Sequence, residues 1–336
     1  MGALIASDLE ELSRREYRRL NMGIAPSGKL HLGSVMTAMA GLLYLQGKPG
    51  THMEICVMDL DFDTQRGNVF LPFTHKPDPE GCHPLIRDHT RAELTHFVDS
   101  VTEALGIQRK YVSVGIFSEM VMKPIYLEAV MHLFKDKLRR KLVREIIMDE
   151  RGNVHKVPLS PICPECNYSS AEFSKIDFEA TKLTTTCNNR SCNSYDQKYS
   201  VLVTDTQRYS MHYLVDPVRD VFNGDGVEPA DVHIFGGDYM ESGYGVRGTP
   251  KAVRVQRLIR ELMPKDNPRF STNSPDIYVG PMITIGGAKM GKSTKNGFQF
   301  EELQTRENWV ERLMDLVRDA SAHTRIDYDV AKRYVS

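Results

Sequence analysis

The sequence predicts an α/β protein built on a doubly wound parallel sheet, interrupted by a cysteine-bearing insertion. Three observations carry this. Near the N-terminus a strand-like run, a glycine-bearing turn, a helix-like stretch and a second apolar run follow one another, the order that opens such a sheet. After residue 200 strand-like runs return, the last leading directly into a loop rich in glycine and lysine. Between these halves, residues 155–200 break the rhythm and carry four of the six cysteines.

Taken in order, residues 7–19 read as a polar helix with Ser7 as its N-cap. A short strand follows at 20–24, then a turn through Ala25, Pro26, Ser27 and Gly28, a helix from about 34 to 45, and a buried strand at 53–58 (MEICVM). Residues 64–90 contain Pro72, Pro77, Pro79, Gly81 and Pro84 and form a long loop, a feature that compact domains reserve for function or disorder. A helix at 91–105, a strand at 111–116 and a basic helix near 125–148 come next. Beyond the insertion, strands are expected at 200–203, 232–235 and 277–285, with a helix at 249–263. The domain organisation read from this is a first half of the α/β domain at 1–154, a cysteine-bearing insertion at 155–200, a second half of the α/β domain at 201–300 and a short helical tail at 301–336.

Composition excludes several classes. At 336 residues, 41% apolar and 26% charged, the chain is long enough for a real core and ordinary for a globular protein. A net charge of −1 means that a nucleic-acid partner would be met by a local basic patch, not by the whole surface. The longest apolar stretch, residues 35–45, is too short to span a bilayer, and the N-terminus alternates acidic and basic residues unlike a signal peptide. A cytoplasmic protein without a membrane partner is expected.

Two glycine-containing turns could bind nucleotide. Pro26-Ser27-Gly28-Lys29-Leu30-His31-Leu32-Gly33-Ser34 lies between the first strand and first helix, where free N–H groups and the helix dipole attract phosphate. Gly28 and Gly33 allow backbone to approach a nucleotide, and His31 could donate to an α-phosphate as it becomes pentavalent. The alternative is a surface histidine beside an ordinary turn. Near the other end, residues 286–293 (GGAKMGKS) satisfy the G-x-x-x-x-G-K-[ST] phosphate-loop pattern. Only 43 residues follow Ser293, too few for the sheet and metal-binding acid that such a loop requires downstream, so that match is read as accidental. As a mobile lid, the same string would place Lys289 and Lys292 against departing pyrophosphate; as a plain surface turn it would do nothing.

Cys163-x₂-Cys166, then 20 residues, then Cys187-x₄-Cys192 has the spacing of a closed structural zinc site, with free or paired thiols as the alternative. Cys56 reads as a core residue. Asp59, Asp61 and Asp63 follow a strand end, where they could hold an α-ammonium, a side-chain ammonium or Mg²⁺, or else pair with Arg66 and cap the turn. Lys135, Lys137, Arg139, Arg140, Lys141 and Arg144 crowd one helix and could track RNA phosphates or form a solvated face.

In sequence order, the first turn resembles the HIGH motif and residues 289–293 (KMGKS) resemble KMSKS. Between them come Asp59-Leu60-Asp61-Phe62-Asp63-x-x-Arg66, Pro77-Asp78-Pro79-Glu80-Gly81-Cys82-His83, Ser118-Glu119-Met120, Pro161-x-Cys163-x-x-Cys166, Tyr213-x-x-Asp216-Pro217 and Phe235-Gly236-Gly237-Asp238. This succession resembles the class I lysyl-tRNA synthetase family over roughly residues 17–300. The resemblance implies a Rossmann-type catalytic domain, ATP with Mg²⁺ as substrate, structural Zn²⁺, and a two-step reaction through an aminoacyl-adenylate. It implies His31, Ser34, Lys289 and Lys292 as catalytic residues, Ser34 standing in for the final histidine of HIGH. ATP contacts fall to Pro26, Ser27, Gly28, Gly33, Asp238, Met290 and Ser293, and the amino acid to Gly23, Asp59, Asp61, Asp63 and Asp216. Departures are Gly291 for the first serine of KMSKS, and Gly237 and Tyr239 where the family has Lys and His around Asp238. After Phe298 there is room for two short helices, so the family's helical anticodon-binding domain is not expected. The functional expectation is ATP-dependent activation of lysine or a basic or modified relative, with transfer to a tRNA through its acceptor stem. The alternative is a stand-alone ligase passing the aminoacyl group to an amine, a carrier protein or a small metabolite.

Overall fold

The structure, a computed structural model, describes residues 5–6, 8–24, 26, 30–59, 86–134, 159–166, 175–177, 181–190, 192–210, 219, 228–237, 253, 275–286, 288–289, 299–321, 323 and 325–335, and the architecture is given for these. The strands are β1 (Ile5–Ala6), β2 (Arg19–Ile24), β3 (His52–Val57), β4 (Val112–Ile116), β5 (Ser160–Pro161), β6 (Lys175–Asp177), β7 (Lys182–Thr186), β8 (Lys198–Leu202), β9 (Tyr209–Ser210), β10 (Val232–Phe235), β11 (Asp276–Val279), β12 (Met282–Ile285), β13 (Ala288–Lys289) and β14 (Arg325–Asp327). The helices are α1 (Leu9–Ser13), α2 (Leu32–Gln46), α3 (Ile86–Leu105), α4 (Phe117–Met120), α5 (Pro124–Phe134), α6 (Phe300–Gln304), α7 (Trp309–Ala320) and α8 (Tyr328–Val335).

Six strands form one sheet in the order β1-β11-β10-β2-β3-β4, and every pairing is parallel. The chain leaves β2 for β3 and β4 on one side, while β10 and β11 fill the other. This is the doubly wound, Rossmann-type arrangement that the opening elements predict, with its switch point between β2 and β10. The central strands are apolar on the face toward α2, where Met22, Ile24, Met53, Ile55, Val57 and Ile234 join one core.

Helix α2 is buried nearly all round, from Leu32 to Leu45, as expected for a helix between sheet and a second helical layer. Gly41 lets it approach the sheet: a Cβ there would lie 2.6 Å from Met53 Cε and 2.8 Å from Ile234 Cδ1. Helix α3 lies beside α2 against β3 and β4, and the second layer is α7. Helix α7 contributes Val310, Leu313, Leu316, Val317 and Ala320 to the same core, and burial of each of its leucines stabilises the fold by about 1.5–3 kcal/mol. Phe97 of α3 meets the Phe300 ring edge-on at 5.4 Å, so the C-terminal segment is part of the core.

Four expectations differ from what is observed. The helix expected at 7–19 stops at Ser13 and is capped by Asp8, whose carboxylate accepts from Glu10 N–H. Tertiary contacts override propensity beyond it, because buried Tyr17 donates its N–H to the Tyr44 hydroxyl and its own hydroxyl to Asp276. The strand expected at 277–285 is two. Gly280 N–H makes a last contact with Phe235 O, and Pro281 supplies no N–H, so β12 leaves the sheet and pairs in parallel with β14 instead. The strand expected at 200–203 is β8, antiparallel to β7 in a separate three-stranded sheet, not a return to the main one. Three helices and a strand, not two helices, follow residue 298 among the described residues. Of the basic helix, Pro124–Phe134 is described and its six basic residues lie outside the described residues; so does the helix expected at 249–263 apart from Val253.

Candidate active site and metal centre

Ligands of open α/β sheets gather outside the carboxyl ends of the strands at the switch point. Here the carboxyl end of β2 leads through buried Pro26 to His31, the N-cap of α2. His31 is extended (φ −106°, ψ 161°), and its Nδ1 accepts a long hydrogen bond of 3.4 Å from Ser34 N–H. Its Nε2 lies 3.2 Å from Ser34 Oγ. With Nδ1 accepting, a neutral imidazole carries its proton on Nε2 and donates to Ser34 Oγ, which leaves the Ser34 hydroxyl proton to point elsewhere. Gly33 permits this packing, since a Cβ there would sit 3.2 Å from ring atoms Cε1 and Nδ1. Leu30 N–H donates to Glu93 Oε2 at 3.0 Å, anchoring the turn to α3. Ser27 and Gly28 lie outside the described residues.

The second turn reaches the first. Strands β12 and β13 form an antiparallel hairpin, Thr284 opposite Lys289 and Ile285 opposite Ala288, with Gly286 at φ 57° in the turn. A φ in that region suits glycine, and the pairing of Ile285 with Ala288 makes this a tight hairpin. A phosphate loop would run from the strand towards a helix, whereas the described start of the G-x-x-x-x-G-K-[ST] string, Gly286 to Lys289, doubles back along β12. Residues 290–298, with Met290, Lys292 and Ser293, lie outside the described residues. The chain is described again at Gln299, which forms an antiparallel bridge with His31, and Phe300 N–H donates to Leu30 O at 2.9 Å. The chain is thus described up to Lys289 and again from Gln299, which lies against the HIGH-like histidine.

The remaining candidates fall around the strand ends. Gly237, after β10, has no room for a side chain: a Cβ would lie 2.6 Å from Met282 N and 2.8 Å from Gly280 O. Gly23 in β2 is covered by Arg219, whose Nη1 would be 2.8 Å from a Cβ there. Arg219 is 1% exposed, with Nη1 3.3 Å from Met58 Sδ and Nη2 2.9–3.0 Å from the ring nitrogens of His233. Nothing in the spacing around Arg219 marks it, and only the fold brings it over β2. Asp59 is also buried. It accepts from Ser118 N–H at 2.8 Å and from Ser118 Oγ at 2.5 Å, and faces Arg87 at 3.6 Å. Burial raises its pKa, against the Ser118 hydrogen bonds and the Arg87 charge. Asp61, Asp63, Asp216 and Asp238 lie outside the described residues.

Cys163, Cys166, Cys187 and Cys192 come together with all four sulfurs within 4.8 Å of one another, three of the residues buried. The Cys166 and Cys187 sulfurs are 3.8 Å apart, the edge of a tetrahedron with metal–sulfur bonds of about 2.3 Å. Burial pushes the Cys187 thiol up to about 12. A bound cation reverses that by stabilising thiolates, so the donor set fits Zn²⁺. The cluster sits at the end of the β7–β8 hairpin, where Cys187 and Asp196 exchange backbone hydrogen bonds with their neighbours.

The chain matches no known family profile. It is similar to the lysine–tRNA ligase of Archaeoglobus fulgidus, 31% identical over 180 residues, 48% of this chain and 34% of that protein. The matched region thus spans about a third of the length of this relative. Among solved structures, the chain is similar to tyrosyl-tRNA synthetase of Archaeoglobus fulgidus with L-tyrosine (18% identity, TM-score 0.40, 87% of this chain and 64% of that one). It is also similar to glutamate-tRNA synthetase of Elizabethkingia anophelis (12% identity, TM-score 0.42, 95% and 70%). No described helix is long and apolar enough to cross a membrane.

Proposed function

We propose that this protein activates an amino acid with ATP, forming an aminoacyl-adenylate and pyrophosphate, and passes the aminoacyl group to a tRNA in the cytoplasm. The observation that carries the reading is the pairing of His31 with Gln299, which seats the return of the lysine-bearing loop on the N-terminus of α2 at the sheet's switch point. The amino-acid carboxylate attacks the α-phosphorus, the α–β phosphoanhydride bond breaks, and pyrophosphate leaves with its electron pair. Negative charge shifts from the attacking carboxylate to the non-bridging oxygens of the α-phosphate and to the departing pyrophosphate, so fixed donors there lower the barrier most. The N-terminus of the 15-residue α2 supplies backbone N–H groups and dipole. Ser34 supplies its hydroxyl proton on the same turn, His31 turns its Nε2–H from Ser34 to the phosphate, and Lys289 and Lys292 neutralise the leaving group. Pro26, Ser27, Gly28, Gly33, Met290, Ser293 and Asp238 line the nucleotide, with Mg²⁺ arriving on ATP.

Lysine or a basic relative is the proposed amino acid, with Asp61, Asp63 and Asp216 as partners for its ammonium groups and Gly23 in the pocket floor. The partial match to a lysine–tRNA ligase supports this. Zinc on the four cysteines holds the insertion and, with four protein ligands, offers no open position for chemistry. The test is ATP–pyrophosphate exchange with the twenty amino acids plus ornithine, β-lysine and N6-hydroxylysine, with and without bulk tRNA. Exchange with one basic amino acid, lowered about 10²–10³-fold in His31→Ala and Lys292→Ala, is the expected result. Silence in every lane from folded, zinc-loaded protein overturns the reading. Aminoacylation of tRNA, or its absence alongside strong exchange, separates tRNA from an amine, carrier or metabolite acceptor.

A further inference from the structure

We propose that His89, Glu93 and Glu301 form a second cation site, separate from the cysteines, that binds a first-row divalent ion with nitrogen and oxygen ligands. His89 and Glu93 are four residues apart on α3 and so share one face of that helix, with side chains only 14% and 10% exposed. Glu301 comes from the first turn of α6, a different element brought in by the return of the chain at Gln299. One ligand atom from each of the three lies within 4.8 Å of the others.

A metal bound at about 2.0–2.2 Å by a tetrahedral set needs its ligand atoms about 3.5 Å apart, so modest side-chain rotation completes the site. Two carboxylates and a neutral imidazole carry a charge of −2, which a divalent cation balances. Imidazole with carboxylates selects Zn²⁺, Mn²⁺ or Co²⁺ over the all-oxygen preference of Ca²⁺. Three protein ligands leave positions for water.

The location gives the ion a consequence. Glu93 already accepts from Leu30 N–H, and a carboxylate has lone pairs to serve a metal as well. Phe300, next to Glu301, donates to Leu30 O, and Gln299 bridges His31. A bound ion therefore clasps α3, the His31 turn and the start of α6 together, and holds Gln299 and Phe300 against that turn.

Mn²⁺ is the discriminating probe, because it avoids thiolate sites and needs no nucleotide to be detected. Electron paramagnetic resonance of the zinc-loaded full chain without ATP should report one bound Mn²⁺ per chain, displaced by added Zn²⁺. The affinity should fall at least tenfold in His89→Gln and in Glu301→Gln, and stay unchanged in Asp61→Asn. Mn²⁺ should also raise the unfolding temperature of the wild type and not that of Glu301→Gln, an exposed isosteric change that preserves the fold. No Mn²⁺ bound by the wild type at millimolar concentration, or binding equal in wild type and both variants, overturns the proposal. The readout does not depend on adenylation, so its failure is distinct from failure of the synthetase reading.

Discussion

Replacing Asp59 with alanine separates two roles for the first acid after β3. In the structure its carboxylate spends both oxygens inside the protein, on Ser118 N–H and Ser118 Oγ, with Arg87 3.6 Å away. Asp59 and Ser118 are each 1% exposed, so water cannot replace a lost partner without opening the core. Leaving the Ser118 donors buried and unsatisfied costs about 1–3 kcal/mol each, giving about 2–6 kcal/mol for Asp59→Ala. Asp59→Asn keeps the shape: its carbonyl oxygen can accept from Ser118 N–H and its amide can donate to Ser118 Oγ. It loses the attraction of Arg87 but buries no charge, so a change of about 1 kcal/mol or less is expected. Guanidinium denaturation gives the stabilities, and ATP–pyrophosphate exchange gives the amino-acid KM. Asp59→Ala at wild-type stability, with the KM raised tenfold or more, would refute the anchoring argument and place the carboxylate on the substrate.

The same residue predicts a pH dependence. Burial raises the folded pKa, so the proton binds more tightly in the folded chain than in the unfolded one. That contribution is complete below the unfolded value of about 3.9 and is lost as pH rises through the folded value. The stability difference, wild type minus Asp59→Asn, should therefore shrink as pH rises from 4 toward 7. For His31→Asn, asparagine is itself a good N-cap, so stability should hold within about 0.5 kcal/mol while exchange falls about 100-fold; unchanged exchange excludes His31 from the chemistry. Gly237→Ala pushes a Cβ to 2.6 Å from Met282 N, a backbone atom that cannot swing away, and should destabilise by about 1–3 kcal/mol, read as a lowered unfolding midpoint. Gly237→Lys, the family's residue, should do no better. Stripping zinc should abolish amide-exchange protection at Cys187 and Asp196 of the cysteine hairpin while Met22 and Ile55 in the main sheet stay protected; protection that survives metal removal shows that the hairpin folds without it.

The local patterns in the sequence determined much of the frame. The strand at 19–24, the helix at 32–46, the strands at 52–57, 112–116 and 232–235, and the four-cysteine cluster were legible because each is marked by a short-range device: an apolar run, or a paired Cys-x₂-Cys and Cys-x₄-Cys. The acid after β3 was legible as a position but not as a contact, since Ser118 and Arg87, which hold it, are distant in sequence. The same limit hid Arg219 over Gly23, the absence of space at Gly237, and the split of residues 276–285 between two sheets. It also hid the meeting of Gln299 with His31. Periodicity reports which face of an element is apolar; it carries no information about which distant backbone approaches that face. Hydrogen-bond partners and steric room are properties of that approach, so only the tertiary structure decided them.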